Sequence, residues 1–298
     1  MRLQKLESQS PEYKELNDFN NWILQIGNGI IKHVYPIEND SDIDSITIEV
    51  PKDLLIDTAD NKIKVLVDFV YPDFITYFNQ PEYLKDRAIL ATTNEIVDEI
   101  NDYMINLVPG MEKEYYSADT ISNSTDTCND AHILYPVEYL NTLNANNFPC
   151  HKLKLKVGVP IMLLRNLNQS LGLCNGTRLI ITNLGHNVIE ALIITGTHTG
   201  QTTYIPRINL ATRGCRWPFT LRRRQFPIKI CYSMTINKSQ GQTLSKVGVY
   251  LKKSVFTHGQ LYVPVSRVRN RKRLKILIEN EDGTCGTTTK NTVYREIL

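Results

Sequence analysis

The stretch RAILATTNEIVDEINDYMINLVPG, residues 87–110, constrains the fold most. AIL is a short buried-strand signal and TTN supplies a helix cap. Ile96, Val97, Ile100, Met104 and Leu107 then recur at helical spacing, and Pro109 and Gly110 stop the helix. Strand, polar turn and helix form the unit of a parallel α/β sheet. The helix N-terminus this creates offers free N–H groups to an anion.

On either side of this unit the texture differs. Residues 11–29 predict a helix, with Ser10 as N-cap, Pro11 at the first helical position and a stripe of Leu16, Phe19, Ile23 and Ile26. SITIEV alternates like a strand, and NKIKVLVDFV places Ile63, Leu66, Val67 and Val70 at helical spacing. Residues 111–150, rich in Ser, Asn, Thr and Asp around ISNSTDTCND, read as a loop. From Lys152 short β-rich runs punctuated by Gly and Asn suggest a small antiparallel barrel. After LRRRQF the α/β texture returns, with a strand at 228–234, a polar loop, a strand at 247–251, a helix near 259–269 and a strand at 274–278. The β-rich piece therefore reads as an insertion into an α/β domain.

Charge divides along the same line. Residues 1–130 hold 25 acidic and 10 basic side chains, net −15, and residues 131–298 hold 6 and 24, net +18. Such segregation points to a polyanionic partner for the basic half, or to two solvated faces attracting one another. No apolar run approaches a membrane span and the N-terminus lacks a secretory signal. The six cysteines, Cys128, Cys150, Cys174, Cys215, Cys231 and Cys285, have no metal-like spacing and read as reduced thiols of an intracellular protein. No metal site is expected.

Three stretches could carry chemistry. In TINKSQGQTL, residues 235–244, Asn237, Lys238, Ser239 and Gln240 can donate to phosphate oxygens, and Gly241 allows close backbone approach. The same stretch could be an ordinary turn with a capping Ser. In HGQLYVPVSRVRNRKRLKILI, Arg267 follows an apolar segment that would aim its planar fork at phosphate. The arginines and lysines after it form either a solvated face or a nonspecific DNA contact. LRRRQF places three adjacent arginines on a strand, which cannot all point one way; it is a backbone-phosphate contact or a solvated boundary. The chain has no Gly-Lys dipeptide, so no phosphate loop of the form Gly-x-x-x-x-Gly-Lys-Ser/Thr is present. Nor does an apolar strand end in adjacent acidic residues suited to Mg²⁺.

Six ordered stretches, MRL, ILATTNEIVDEIN, LKLKVGVPIMLLRNLN, GLCNGTRLIIT, TINKSQGQTL and HGQLYVPVSRV, closely resemble the C-terminal half of Pif-type helicases. These are superfamily-one enzymes that move 5′ to 3′ on single-stranded DNA using ATP. Plant copies, many borne by Helitron transposons, look nearest. The resemblance implies an α/β fold, a second RecA-like domain with an inserted small antiparallel β-barrel. Residues 1–80 would be a helical and irregular segment, 81–152 and 225–298 the two parts of the RecA-like domain, and 153–224 the barrel.

The resemblance also implies roles. DNA contact falls to Thr92, Thr93, Asn94, Asn237, Lys238, Ser239 and Gln240, and nucleotide-side coupling to Gly241 and Gln242. Arg267 and Arg2 would be arginines that reach the γ-phosphate. Partners would be single-stranded DNA and a first RecA-like domain; the setting would be the nucleus, or the mitochondrion. The family uses ATP and Mg²⁺ in DNA repair, recombination and telomere maintenance. Its phosphate loop and Mg²⁺ carboxylates belong to the first RecA-like domain, which would precede Met1. This chain alone is therefore expected to bind neither cofactor independently and not to hydrolyse ATP.

Two departures from the family pattern stand out. Pro264 and Val265 replace the usual Ala-Leu before SRV. A proline inside a helix costs about 3 kcal/mol, so either the helix kinks or Arg267 is displaced. Asn237 stands where many relatives outside plants have His, keeping a donor that does not titrate. The rival readings are a non-enzymatic DNA-binding remnant of a transposon helicase and a split enzyme whose first domain lies on another polypeptide.

Overall fold

The computed structural model describes residues 11–31, 45–58, 60–122, 135–145, 147–212, 217–294 and 296. In chain order it begins with helix α1 (Pro11–Gly27), strand β1 (Ser45–Glu49) and helices α2 (Lys62–Val70), α3 (Phe74–Tyr77) and α4 (Pro81–Leu84). Strand β2 (Arg87–Ala91), helix α5 (Asn94–Leu107), strands β3 (Lys113–Tyr116) and β4 (Ala118–Ser122) and helix α6 (Val137–Thr142) follow. Next come β5 (Lys152–Leu155), β6 (Pro160–Leu163), β7 (Arg178–Leu184), β8 (Val188–Ile193), β9 (Thr202–Pro206), β10 (Ile208–Ala211) and β11 (Thr220–Gln225). The last are β12 (Ile228–Ile230), β13 (Ser233–Thr235), β14 (Lys246–Leu251), helix α7 (Tyr262–Val265), β15 (Leu274–Ile278) and β16 (Thr288–Thr292). The chain forms two compact units, one of residues up to Thr76, Asp86–Tyr103 and from Tyr232 on, the other of Tyr77–Lys85 and Met104–Cys231.

The first unit is built on a four-stranded sheet of order β13-β2-β14-β15, every neighbouring pair parallel. Its strands are nearly continuous apolar runs, as burial on both faces requires: Ile89, Leu90, Val247, Val249, Ile276 and Leu277 are all buried. Helix α2 lies directly on β14. A Cβ added at Gly248 would sit 2.6 Å from Leu66 Cδ1 and 2.8 Å from Val70 Cγ2, so only glycine permits this approach. Tyr71, fully buried, donates its hydroxyl to the Tyr232 carbonyl at 2.8 Å and meets Phe74 and Tyr232 edge-on.

Edge strand β13 is held by a side chain. Asn101 of α5 is buried; its Oδ1 accepts from the N–H groups of Tyr232 (3.1 Å) and Ser233 (2.8 Å), and its Nδ2 donates to the Ser233 carbonyl (3.2 Å). These backbone groups would otherwise be orphaned in the interior. Beside the sheet, β1 pairs antiparallel with β16, and buried Asn291 donates to the Ile26 carbonyl at the end of α1. Phe19, Ile23 and Ile26 form the buried stripe of α1, as the sequence predicts.

The second unit holds a five-stranded antiparallel sheet of open order β12-β6-β7-β8-β9, a three-stranded sheet β10-β11-β4 and the pair β3-β5. Besides residues 153–224 it takes in residues 104–152. Ile121, Leu140, Leu143, Phe148, Leu210 and Leu221 form a core beneath the three-stranded sheet. Arg178 is fully buried and donates to the carbonyls of Leu84, Lys85 and Cys231.

Several sequence expectations are corrected. Residues 111–122 are two strands rather than loop, because the polar-looking runs KEYY and ADTIS find partners far along the chain in β5 and β11. Residues 137–142 form a helix. The apolar run 228–234 is two strands in different sheets: β12 pairs antiparallel with β6, and β13 pairs parallel with β2. The helix near 259–269 is one turn, 262–265. Residues 45–49, within the segment read as helical and irregular, form a strand, as SITIEV predicts. Ser10 and residues 123–130 lie outside the described residues. Among the described residues Cys150, Cys174, Cys231 and Cys285 are outside any disulfide, and no helix is long and apolar enough to cross a membrane.

Asn101→Ala removes the hydrogen bonds that hold β13. The expected loss of stability in urea unfolding is about 3 kcal/mol, since buried backbone groups lose their partners. A loss below about 1 kcal/mol would contradict the role given to Asn101.

Candidate nucleic-acid and phosphate site

Strands β13 and β2 run in parallel register, Ser233 beside Ile89, Met234 beside Leu90 and Thr235 beside Ala91. Their carboxyl ends therefore finish side by side. From one leaves the loop 236–242, from the other Thr92, Thr93 and Asn94. Ligands of open α/β sheets gather at this edge, where strand ends release loops and helix N-termini.

Residues Ile236–Ser239 form a single 3₁₀ turn. Asn237 and Gln240 are exposed and Lys238 is half-buried. Gly241 is exposed at φ +80°, and a Cβ there would meet nothing within 4 Å, so its backbone is open to close approach. Ser239 differs from the expectation of a DNA contact. It is fully buried and donates its hydroxyl to the Ile236 carbonyl at 2.7 Å, stabilising the turn from within. Thr92 is also turned inward, 6% exposed, its hydroxyl 3.3 Å from the Lys253 carbonyl it donates to. Thr93 Oγ1 is buried without a hydrogen-bond partner. Asn94 is exposed at the start of α5, where the first backbone N–H groups have no intrahelical acceptor.

Arg267 joins the polar loop. Its Nε donates to the Val263 carbonyl (2.9 Å), one terminal nitrogen to the Gln242 carbonyl (3.3 Å) and the other to Ser266 Oγ (2.8 Å). Gln242 Nε2 in turn donates to the Lys238 carbonyl at 3.1 Å, and the Leu244 N–H donates to the Arg267 carbonyl. Lys238, Gln242 and Arg267 thus form one connected chain of contacts. Pro264 lies inside the four-residue helix α7, which ends at Val265, and Arg267 lies just beyond it. Arg2 lies outside the described residues.

Other contributors were not visible as site residues in the sequence. Lys253 supplies the carbonyl that fixes Thr92, while its ammonium and that of Lys252 pair with Glu95 and Glu99 at 3.1 and 3.3 Å. The Lys-Lys pair directly after an apolar strand was the available signal. Gln260, buried, accepts from the N–H groups of Phe256 and Thr257 and so shapes the next loop on this edge. A cavity of about 690 Å³ opens beside these residues, with Glu95, Glu99, Lys252, Lys253 and Glu279 in its wall. Burial, together with the bond to Glu279, pushes the Tyr250 hydroxyl far above the usual phenol range. Among the described residues no group of three or more His, Cys, Asp or Glu could hold a metal ion.

The chain is a mixed α/β protein, similar in fold to the crystal structure of the Pif1 helicase from Candida albicans (TM-score 0.56, 22% identity), with 96% of this chain and 57% of that one covered. It is similar as well to the Bacteroides Pif1 helicase in complex with ADP-AlF3 and ssDNA (TM-score 0.52, 22% identity), covering 90% and 49%. Residues 138–184 match the 2B domain of DNA helicase Pif1. The human ATP-dependent DNA helicase PIF1 is 33% identical over 146 residues, 47% of this chain and 21% of that protein. The chain is thus similar to the C-terminal half of a Pif1-type helicase. It covers about a fifth of the human relative and just over half of the Candida structure.

If Arg267 and Gln242 brace the loop, Gln242→Ala and Arg267→Ala should each loosen it. Tryptic cleavage after Lys238 should quicken roughly fivefold in either variant, the effect of losing one hydrogen bond worth about 1 kcal/mol. Cleavage at the wild-type rate in both would contradict the bracing.

Proposed function

We propose that this chain is the second-half motor domain of a Pif-family ATP-dependent DNA helicase, gripping single-stranded DNA and sensing the γ-phosphate. On this reading the unit that carries the parallel sheet, with Asp86–Tyr103 and the residues from Tyr232 on, is a second RecA-like domain, and residues 153–224, in the other unit, are an inserted small β-barrel. The observation that carries it is the connected chain Arg267–Gln242–Lys238, which ties the proposed phosphate-sensing arginine to the proposed DNA-contacting loop. The register of β13 and β2 supports it by bringing Asn94 to the same edge. The match to the helicase 2B domain and the similarity to ATP-dependent DNA helicases point the same way.

ATP would supply the free energy of phosphoryl transfer. Arg267 is the group suited to its terminal phosphate, beside the open backbone at Gly241. The described residues fit that one corner of a nucleotide; none forms a phosphate loop, and no carboxylate cluster fits Mg²⁺. Those elements belong to the first RecA-like domain, the partner this reading requires. Arg267 holds the Gln242 carbonyl and Gln242 holds the Lys238 carbonyl, so any reorientation of the guanidinium reaches the strand-gripping loop. Asn237, Lys238 and Gln240 would contact phosphates directly. Ser239 and Thr92 would act by shaping the loops that present them. We assign the protein to the nucleus, in repair, recombination or telomere maintenance, with a plant or Helitron-borne origin.

Reconstitution separates this reading from its rival, a non-enzymatic DNA-binding remnant without a phosphate loop. Mixing this chain with a separately produced first RecA-like domain of a Pif1 helicase should yield DNA-stimulated ATP hydrolysis absent from either part. Arg267→Ala should lower that rate about a thousandfold, the scale of an arginine-finger loss. No stimulation on mixing, or full activity of the variant, would overturn the proposal.

A further inference from the structure

The run LRRRQF is resolved by the sheet it enters. In β11 burial alternates: Leu221, Arg223 and Gln225 face inward, Arg222 and Arg224 outward. Arg223 is fully buried. It holds Asp119 by three contacts of 2.6–3.1 Å and donates to the carbonyls of Pro149 and Leu140. One arginine of the three is therefore consumed in the core, with its charge compensated.

The other two stand on the open face of the sheet β10-β11-β4. Arg222 lies between Ala211 of β10 and Thr120 of β4, and Arg224 between Asn209 and Ala118. All six residues are exposed, and neither arginine has an ion-pair or hydrogen-bond partner among the described residues. The small neighbours leave both guanidinium groups clear, and none of the four is acidic. Two residues apart on one strand, the arginines rise about 7 Å from one another, a step comparable with that between neighbouring phosphates of an extended strand.

We propose that this face is a second nucleic-acid contact that takes the phosphodiester backbone, separate from the loops of the parallel sheet. The planar fork of Arg suits phosphate oxygens. A protein partner would want an apolar centre to desolvate, and this face offers only Ala, Thr and Asn around the charges. It extends the proposed function but stands on its own geometry. Because the contacts are electrostatic and carry no base-reading groups beyond Asn209, binding is sequence-independent.

The test is fluorescence anisotropy of the full chain with a labelled oligo-dT strand and, separately, a labelled duplex, titrated across NaCl concentration. The double variant Arg222→Ala/Arg224→Ala should keep the wild-type melting curve, because neither side chain packs. Its log–log salt slope should fall by about 1.4 on single strands or about 1.8 on duplex, with about tenfold weaker binding at low salt. The probe that shows the change identifies the strand type. Arg222→Lys/Arg224→Lys should restore the slope, since the charge returns. Unchanged slope and affinity with both probes would overturn the proposal, as would loss of polyglutamate binding with oligonucleotide binding intact. Lys238→Ala separates the two sites: if it loses affinity while the arginine variant does not, the face fails and the loop reading stands. The reverse pattern sinks the loop reading and leaves the face.

Discussion

The parallel pairing of β13 with β2 is the constraint on which the site depends. Parallel neighbours must be joined by a long crossover, and here the crossover is the whole of residues 92–232. Two loops far apart in sequence therefore leave the sheet at the same height, from Ala91 and Thr235. β13 is only three residues long and sits at an edge, so its own ladder is slight. Asn101 compensates by binding the backbone on both sides of Tyr232–Ser233 from the helix that follows β2. The same helix thus presents Asn94 at its start and fixes the strand that carries Lys238.

Much of this was legible in the sequence, for local reasons. Helix α2, strand β15 and the unit from Arg87 to Leu107 were read almost to the residue, because apolar spacing and Pro/Gly stops act within a few positions. The division of 228–235 was not legible. IKICYSM reads as one apolar run, and what splits it is the choice of partner: the Cys231 N–H goes to Pro160, and the Tyr232 N–H goes to Asn101. The polar inventory of TINKSQGQTL was visible, but not which hydroxyls turn inward. Ser239 folds onto Ile236 and Thr92 onto Lys253, choices made by backbone geometry and by a bend 161 positions away. The length of the helix around Pro264 was not legible either: a helix was read near 259–269, and only Tyr262–Val265 is helical.

The charge pattern has a comparable history. A run of three arginines announced a basic surface, and strand alternation limited it to one or two per face. Only Asp119, 104 positions away, decides that Arg223 is the buried one. The two left outside and the loop at the edge of the parallel sheet then offer cations in two separate units, each suited to an anionic polymer. Where the carboxylates of the first unit lie close, at Glu95 and Glu99, lysines answer them.

The central claim is that the TTN segment and the loop 236–242 form one anion-gripping edge. Amide hydrogen exchange of the chain with and without oligo-dT tests it most directly. Residues 92–97 and 236–242 should gain protection together and over the same oligonucleotide concentrations. Protection of one segment without the other, or of neither while the strand is bound, would contradict it.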